Sequence, residues 1–156
     1  MRVIAGVAKG RKLAVPSGDF IRPTKDRVKE AIFNSLHSHG LINNRSFLDL
    51  FSGTGSLGIE ALSRGAESVV FVDNHTEAIN CITLNVRTLN YGSASKIEKA
   101  DALNFLAKED HFDVVLLDPP YKYENWGILL TRIKAHSIVI ESAEPVTLEN
   151  DWEIIK

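Results

Sequence analysis

The chain has 156 residues, of which 44% are hydrophobic and 24% are charged, and it contains one cysteine. This length suits one domain with a single core, and a lone cysteine excludes an intramolecular disulfide or a multi-cysteine metal site. The first residues lack the apolar run of a signal peptide, and no stretch approaches the length of a membrane span. We therefore expect a cytoplasmic protein with no membrane contact. The five histidines are scattered without metal-ligand spacing, so no metal is expected.

The net charge of −2 is unevenly distributed along the chain. Residues 1–30 hold eight Lys or Arg against three Asp or Glu, whereas the remaining residues hold ten against seventeen. This asymmetry indicates a basic segment that meets a polyanion, although a charged face exposed to solvent would explain it equally well.

The first predicted elements lie ahead of the main sheet. Residues 2–16 contain two short apolar runs around Gly6 and Gly10, a pattern that is typical of a β-hairpin. After the Arg-Pro-Thr step at residues 22–24, Thr24 is predicted to cap a helix that runs to about His37. The predicted apolar face of this helix consists of Val28, Ala31, Ile32 and Leu36.

From residue 46 onward, short apolar runs alternate with helical stretches. Residues 69–72 and 114–117 are continuously apolar, as expected of strands that are buried on both faces. Five strands with intervening helices predict an α/β fold with a doubly wound, mostly parallel, Rossmann-like sheet. The predicted strands are Phe47–Phe51, Ser68–Asp73, Lys96–Lys99, Asp113–Asp118 and Ser137–Glu141. The predicted helices are Ser56–Arg64, Thr76–Tyr91, Ala102–Lys108 and Asn125–Ile133.

A glycine-rich loop follows the first strand of this sheet. Gly53 and Gly55 permit a tight turn and a close approach of a ligand to the backbone. Gly58 lets the next helix lie near the sheet. Asp73 comes twenty residues after Gly53, at the end of the next strand, where it can accept hydrogen bonds from both ribose hydroxyls of an adenosine.

Asp49 distinguishes between two adenosine-containing ligands, since the glycine spacing alone also fits a dinucleotide. Its carboxylate would repel a pyrophosphate but attract the cationic methionine end of S-adenosylmethionine, which the sequence therefore favours over NAD. Asp101 is predicted either to accept from the adenine amino group or to cap the next helix. The residues predicted to bind the cofactor are Asp49, Phe51, Gly53, Gly55, Gly58, Asp73, Asn74, Asp101 and Ala102.

The predicted catalytic loop is Asp118-Pro119-Pro120-Tyr121, at the end of the fourth strand. In a doubly wound sheet this strand lies beside the first, so the loop is expected to face the glycine loop across one crevice. Asp118 and the Pro119 carbonyl would accept both N–H bonds of an exocyclic base amine and aim its lone pair at the donor methyl group. Tyr121 would stack on the base, which must be single-stranded or flipped out. The alternative is a rigid turn with a surface tyrosine.

Several segments of the chain resemble one known family. The Asp-Pro-Pro-Tyr loop is similar to the motif of DNA adenine-N6, DNA cytosine-N4 and RNA guanine-N2 methyltransferases. The more specific segments cover nearly the whole chain and resemble the bacterial 16S rRNA guanine-N2 methyltransferase family. These segments are Gly10-Arg11-Lys12-Leu13, Arg22-Pro23-Thr24 with the residues up to Asn34, Leu48 to Gly55, and Ala61 to Ala66.

The resemblance implies a monomeric class I enzyme that transfers a methyl group from S-adenosylmethionine to N2 of a guanine in 16S rRNA and leaves S-adenosylhomocysteine. Its expected partner is the small ribosomal subunit or an assembly intermediate. Residues 1–45 would form an RNA-contacting extension and residues 46–156 the catalytic core. Residues 152–155 would form a strand, and the family's last antiparallel strand, which follows it, would be missing from this chain. The side chains expected to contact RNA are Arg11, Lys12, Arg22 and Arg27, with the base or cofactor pocket as the alternative for Arg27.

Three other functions stay open at this point. A DNA or protein amino-methyltransferase would use the same loop, although residues 46–141 leave no room for a separate DNA-recognition domain. A non-catalytic adenosyl-binding module is disfavoured by the intact Asp118 and Tyr121, and an NAD-dependent oxidoreductase by Asp49. Cys81 lies within a helical pattern, which favours a core role over that of a nucleophile.

Overall fold

A five-stranded parallel sheet forms the centre of this computed structural model, which describes residues 1–16, 24–108, 111–142, 144–148 and 152. The strands are β1 (Ser46–Leu50), β2 (Ser68–Asp73), β3 (Ser95–Lys99), β4 (Phe112–Leu117) and β5 (Ala135–Ile140). Their order across the sheet is β3-β2-β1-β4-β5, with every neighbouring pair parallel. The predicted α/β fold is confirmed, and β4 lies beside β1 as expected.

Helices cover both faces of this sheet. They are α1 (Asp26–Ser38), α2 (Ser56–Ser63), α3 (Thr76–Thr88), α4 (Ala102–Leu106) and α5 (Trp126–Arg132), with one turn of 3-10 helix at Gly92–Ala94. Successive residues of a strand point to opposite faces, so Phe47 and Leu48 are both fully buried but belong to different hydrophobic clusters. The core therefore has two layers, with Asp49 on the same face of the sheet as Phe47.

The start of α1 differs from the prediction. The N-cap residue is Lys25, and no side chain caps the helix. Thr24 instead donates a hydrogen bond from Oγ1 to Asp118 Oδ2 at 3.2 Å. The predicted cap is wrong because a long-range partner takes the hydroxyl that would otherwise serve the first turn.

The inward face of α1 is also rotated from the predicted one. Its buried residues are Lys29, Phe33 and Leu36, whereas Ala31 is exposed. Lys29 is buried because its ammonium group donates to Arg2 O at 2.7 Å and Ser56 Oγ at 3.1 Å, and it lies 3.6 Å from Glu60. A pattern of apolar residues could not reveal this buried charge, because its partners come from distant parts of the chain.

The N-terminal segment is closed by a single antiparallel bridge between Arg2 and Lys12 rather than by the two regular strands of the predicted hairpin. Its apolar residues Val3 and Leu13 are buried in the same cluster as Phe33 and Phe47. The segment is thus packed against the rest of the core. A functional division at residue 45 stays a prediction.

Two predictions concern residues outside the described ones. Arg22 lies within residues 17–23, and the predicted strand at residues 152–155 is described only at Trp152, which is not in a strand. In the part of the chain that the structure describes, no helix is both long and apolar enough to cross a membrane.

Candidate active site

A cavity of about 630 Å³ opens at the edge of the sheet where the strands end. Residues that end or follow all five strands line it, since parallel strands bring their carboxyl ends to one edge. The glycine loop and the Asp118 loop lie on neighbouring strands, because Leu50 of β1 pairs with Leu117 of β4. Eleven of the predicted site residues line the cavity: Asp49, Phe51, Gly53, Asp73, Asn74, Asp101, Ala102, Asp118, Pro119, Pro120 and Tyr121.

The glycine loop has an unusual backbone. Phe51, Gly53 and Gly55 have φ values of 61°, 56° and 77°, all in the left-handed region. Glycine adopts this region easily, whereas a phenylalanine does so at a cost in conformational free energy. Such strained residues are typical of turns at functional sites. Ser52 holds the turn, since its Oγ accepts a hydrogen bond from Val72 N at 2.9 Å. The role of this serine was not predicted from the sequence.

Gly55 and Gly58 do not line the cavity but set the position of α2. Gly55 is the N-cap residue of α2, and its left-handed backbone starts the helix. A Cβ atom on Gly58 would lie 2.3 Å from Phe71 Cε1, so only glycine allows α2 to approach β2 this closely. The spacing of the loop therefore positions the helix as well as the ligand surface.

Asp49 is almost completely buried, with 2% of its surface exposed. Its Oδ2 accepts a hydrogen bond from Gly58 N at 2.9 Å, so it also caps the first turn of α2. Burial raises the pKa of Asp49 well above its ordinary value, although the Gly58 hydrogen bond opposes the shift. The nearby charges of Asp118 and Asp73 raise this pKa further. A cationic group in the cavity would stabilise the ionised form of Asp49.

Asp73 fixes the end of β2 against the glycine loop. Its Oδ2 accepts from Gly53 N at 2.9 Å, and its Oδ1 accepts from His75 N at 2.9 Å and lies 3.1 Å from His75 Nδ1. A carboxylate has about four acceptor positions, so these contacts leave capacity for further donors. The carboxylate is thereby held at the cavity wall in a defined orientation.

Asp101 caps α4, which was one of the two predicted roles. Its Oδ1 accepts from the backbone N–H groups of Leu103 and Asn104 at 3.0 and 3.1 Å. Because Asp101 and Ala102 also line the cavity, capping does not remove them from the ligand surface. The contact with adenine stays a prediction.

The Asp118 loop is stiffened by its prolines and by a turn. The Pro120 carbonyl accepts from Tyr123 N at 3.0 Å. Among the described residues, no donor reaches the Pro119 carbonyl, which therefore keeps its acceptor capacity. Tyr121 is 71% exposed, as a residue that stacks on an incoming base should be.

Three aromatic side chains form a cluster beside the cavity. The ring of Tyr123 lies edge-on to that of Phe51 at 5.1 Å and to that of Trp126 at 5.4 Å, measured between centroids. Burial raises the pKa of Tyr123, and the charge of Asp101 adds to this shift. Only Phe51 of these three was predicted from the sequence. Tyr123 and Trp126 follow the Asp118-Pro119-Pro120-Tyr121 loop closely in sequence, which was the available signal.

The cavity is strongly acidic. Five carboxylates line it, and the described lining residues include neither Lys nor Arg. This charge suits a ligand with positive groups and disfavours a pyrophosphate. The five carboxylates are those of Asp49, Asp73, Asp101, Asp118 and Glu141.

The predicted RNA-binding residues that the structure describes lie outside this cavity. Arg11, Lys12 and Arg27 are all exposed, and none of them lines it. Arg11 Nη2 lies 3.5 Å from the Thr88 carbonyl, which ties the N-terminal segment to the end of α3. The alternative role of Arg27 as a pocket residue finds no support in this arrangement.

Comparisons with known proteins agree with this geometry. The whole chain, residues 1–156, matches the family described as conserved hypothetical protein 95. A Bacillus subtilis protein provisionally named rRNA methyltransferase YlbH is 41% identical over 158 residues, covering 99% of this chain and 84% of that protein. The ribosomal RNA small subunit methyltransferase D of Haemophilus influenzae is 35% identical over 175 residues, covering 100% and 86%.

The fold is likewise similar to that of solved methyltransferase structures. An Escherichia coli protein provisionally described as methyltransferase yhhF matches with a TM-score of 0.74 and 32% identity, over 86% of this chain and 74% of that one. The family resemblance expected from the sequence is confirmed. The chain belongs to the family described as conserved hypothetical protein 95, and its fold is that of a methyltransferase.

Proposed function

We propose that this protein transfers a methyl group from S-adenosylmethionine to the exocyclic N2 of a guanine in 16S rRNA. The observation that carries the proposal is the acidic cavity between the glycine loop and the Asp118-Pro119-Pro120-Tyr121 loop on the adjacent strands β1 and β4. A volume of about 630 Å³ is within the usual range for cofactor pockets.

The carboxylates around the cavity fit the parts of S-adenosylmethionine in order. Asp73, whose Oδ2 accepts from Gly53 N and keeps capacity for a further donor, would hold the ribose hydroxyls. Asp49 would face the amino-acid end, whose ammonium group offsets the cost of ionising a buried carboxylate. Asp101 and Ala102 would lie against the adenine, with Phe51 and Tyr123 nearby.

The bound cofactor supplies a methyl group on a positively charged sulfur. Asp118 and the Pro119 carbonyl accept the two N–H bonds of the target amine and hold its lone pair toward that carbon. The cofactor would give up this methyl group and leave as the neutral thioether, and the proton displaced from the nitrogen held by Asp118 and Pro119 would pass to solvent. Tyr121 keeps the base in place by stacking.

The choice of substrate rests on the relatives and on charge. The Haemophilus influenzae relative is named as a small-subunit ribosomal RNA methyltransferase. Exposed Arg11 and Lys12 lie in the basic N-terminal segment, which gives polyanionic RNA a place to bind outside the acidic cavity. The enzyme would act in the cytoplasm as a monomer on the small subunit or on an assembly intermediate, with residues 1–45 as the RNA-contacting extension.

Transfer of radiolabelled methyl groups tests the proposed substrate class. The purified chain is incubated with labelled S-adenosylmethionine and, separately, with unmodified small ribosomal subunits, naked 16S rRNA transcript and duplex DNA. We expect label in the RNA-containing samples and none in DNA. Label in DNA alone, or in none of the samples, would overturn the proposal.

A further inference from the structure

Glu141 brings a buried and unpaired carboxylate oxygen to the cavity wall. It directly follows β5, where its backbone N–H donates to the Leu117 carbonyl at 2.8 Å. Its Oε2 is buried but meets no hydrogen-bond donor among the described residues. Buried polar atoms in proteins nearly always form a hydrogen bond, because burying one without a partner destabilises the folded state. Since Glu141 lines the cavity, the missing donor is expected from a bound molecule.

The sheet places Glu141 on the substrate side of the cavity. Ile140 pairs with Leu117, and these are the last residues of β5 and β4. Glu141 and Asp118 therefore directly follow two neighbouring parallel strands. Neighbouring strands lie about 4.8 Å apart. The glycine loop follows β1, on the opposite side of β4 from β5. Glu141 is therefore next to the carboxylate that holds the target amine, and farther from the loop proposed to hold the cofactor.

The chemistry of the bases identifies the donor that such a carboxylate would accept. In adenine and in cytosine, the ring nitrogen beside the exocyclic amine is an acceptor, which a carboxylate oxygen would repel. In guanine, N1 beside the N2 amine carries a hydrogen. Among the natural base amines, that of guanine is therefore the one flanked by a ring N–H that Glu141 can accept.

We infer that Glu141 accepts a hydrogen bond from N1–H of the target guanine while Asp118 and the Pro119 carbonyl hold its N2. Glu141 is thus a specificity-determining residue. Asp118 and the Pro119 carbonyl could hold the exocyclic amine of several bases, and Glu141 makes the site selective for guanine. Flipped bases are commonly read through hydrogen bonds to the Watson–Crick edge. This inference rests on the proposed function, since it concerns the base that enters the same cavity.

A substrate that keeps the amine but lacks N1–H tests this role. Once the methylated guanine is located with the wild-type enzyme, two ligated 16S transcripts are made with guanine or 2-aminopurine at that position. The 2-aminopurine base has the same amine beside an unprotonated ring nitrogen. Initial rates of methyl transfer are measured on both transcripts with the wild type, Glu141→Gln and, as a matched control, Glu144→Gln, whose exposed side chain does not line the cavity.

We expect the wild type to prefer guanine by roughly ten-fold to a hundred-fold, the usual worth of a hydrogen bond to a charged group. Glu141→Gln should reduce this preference to a few-fold at most, because the amide can also donate to an unprotonated ring nitrogen. Glu144→Gln should keep the wild-type preference. A general disturbance of the fold would lower both rates and leave their ratio unchanged.

The two ways in which this experiment can fail distinguish the role of Glu141 from the proposed function. If the wild type modifies guanine but Glu141→Gln keeps the full preference over 2-aminopurine, the role of Glu141 is wrong and the proposed function stands. If the wild type modifies no guanine in 16S rRNA, the proposed function fails, and the inference fails with it.

Discussion

Asp118 is held in place by a residue from a distant part of the chain. Thr24 Oγ1 donates to its Oδ2 at 3.2 Å, and both residues line the cavity. This contact joins the segment before α1 to the proposed catalytic loop. It supports an orienting role for Thr24 and an amine-holding role for Asp118.

Asp118→Ala removes one of the two proposed acceptors for the target amine. We expect methyl transfer to small subunits to fall by at least about a hundred-fold, while the affinity for S-adenosylhomocysteine stays close to that of the wild type. This is the pattern of a group that acts mainly in the transition state. Single-turnover rates and calorimetric titration measure the two quantities.

The matched variant Thr24→Val keeps the Asp118 carboxylate but loses the hydroxyl that orients it. Its rate should fall less, by about ten-fold, because one hydrogen bond that orients the carboxylate is lost while the carboxylate itself remains. Near-normal turnover in Asp118→Ala would make the loop a structural turn and contradict its assigned role.

The raised pKa of Asp49 predicts that ligand binding depends on pH. Its pKa is raised in the free folded protein, so Asp49 contributes stability at pH values below its ordinary pKa of about 4, and this contribution is lost as pH rises through the raised value. An ammonium group beside the carboxylate favours the ionised form. We therefore expect the pKa of Asp49 to be lower in the complex than in the free protein. At pH values between these two, S-adenosylmethionine should bind with release of a proton, and its affinity should increase with pH.

Calorimetric titrations in buffers with different ionisation enthalpies measure this proton release. Methylthioadenosine, which has the adenosine but no amino group, is the control ligand and should release no proton from Asp49. The Asp49→Asn variant should release none with either ligand. Equal proton release with both ligands in the wild type would show that the amino group does not lie near Asp49.

At the scale of elements, α2 connects the glycine loop to the core. Its first turn is fixed by the hydrogen bond from Gly58 to Asp49, and its contact with β2 depends on the missing side chain of Gly58. A displacement of this helix would move the loop on which the ligand is proposed to bind.

Gly58→Ala should destabilise the protein by about 1–3 kcal/mol, the usual cost of overpacking, because the new methyl group meets the Phe71 ring. Denaturant unfolding measures this loss. Gly92→Ala is the matched control, since a Cβ atom there meets nothing within 4 Å. Equal stability of the two variants would contradict the close approach of α2 to the sheet.

The sequence could predict the elements whose signals are local. Continuous apolar runs located β2 and β4, and the glycine and proline motifs placed two functional loops at adjacent strand ends. These patterns depend on neighbouring residues, so one sequence contains them. The position of β4 beside β1 followed from the general rules for doubly wound sheets.

The sequence could not predict contacts between distant residues. Lys29 is buried because Arg2, Ser56 and Glu60 surround its ammonium group, and such a set is brought together only by the fold. The position of Glu141 on the cavity wall likewise depends on the register between β4 and β5. Lys29 and Glu141 were therefore missed for the same reason, which is tertiary proximity without a local motif.

At the scale of the whole molecule, the charges are segregated. The cavity is acidic, whereas the N-terminal segment exposes Lys9, Arg11 and Lys12. This segment is anchored to α2, since Glu60 accepts hydrogen bonds from the N–H groups of Ile4 and Ala5 at 2.9 and 3.0 Å. The RNA backbone would thus contact a basic surface that is anchored to the core, while only the flipped base would enter the acidic cavity.

Replacing both Arg11 and Lys12 with Ala should weaken RNA binding and flatten its dependence on salt. The slope of log K against log salt should decrease by roughly one unit for each lost phosphate contact. The slope is measured by filter binding of 16S rRNA across a salt series. Lys134→Ala is the control, because this exposed lysine precedes the edge strand β5 and lies outside the N-terminal segment. An unchanged slope in the double variant would move the RNA surface elsewhere.

The identity of the methylated nucleoside tests the central claim most directly. Unmodified small subunits are incubated with the enzyme and labelled S-adenosylmethionine, the RNA is digested to nucleosides, and the labelled product is identified by mass spectrometry. We expect N2-methylguanosine from the wild type and almost none from Asp118→Ala. Label in N6-methyladenosine, in a methylated cytidine or in ribosomal protein would contradict the assignment of guanine N2 as the target.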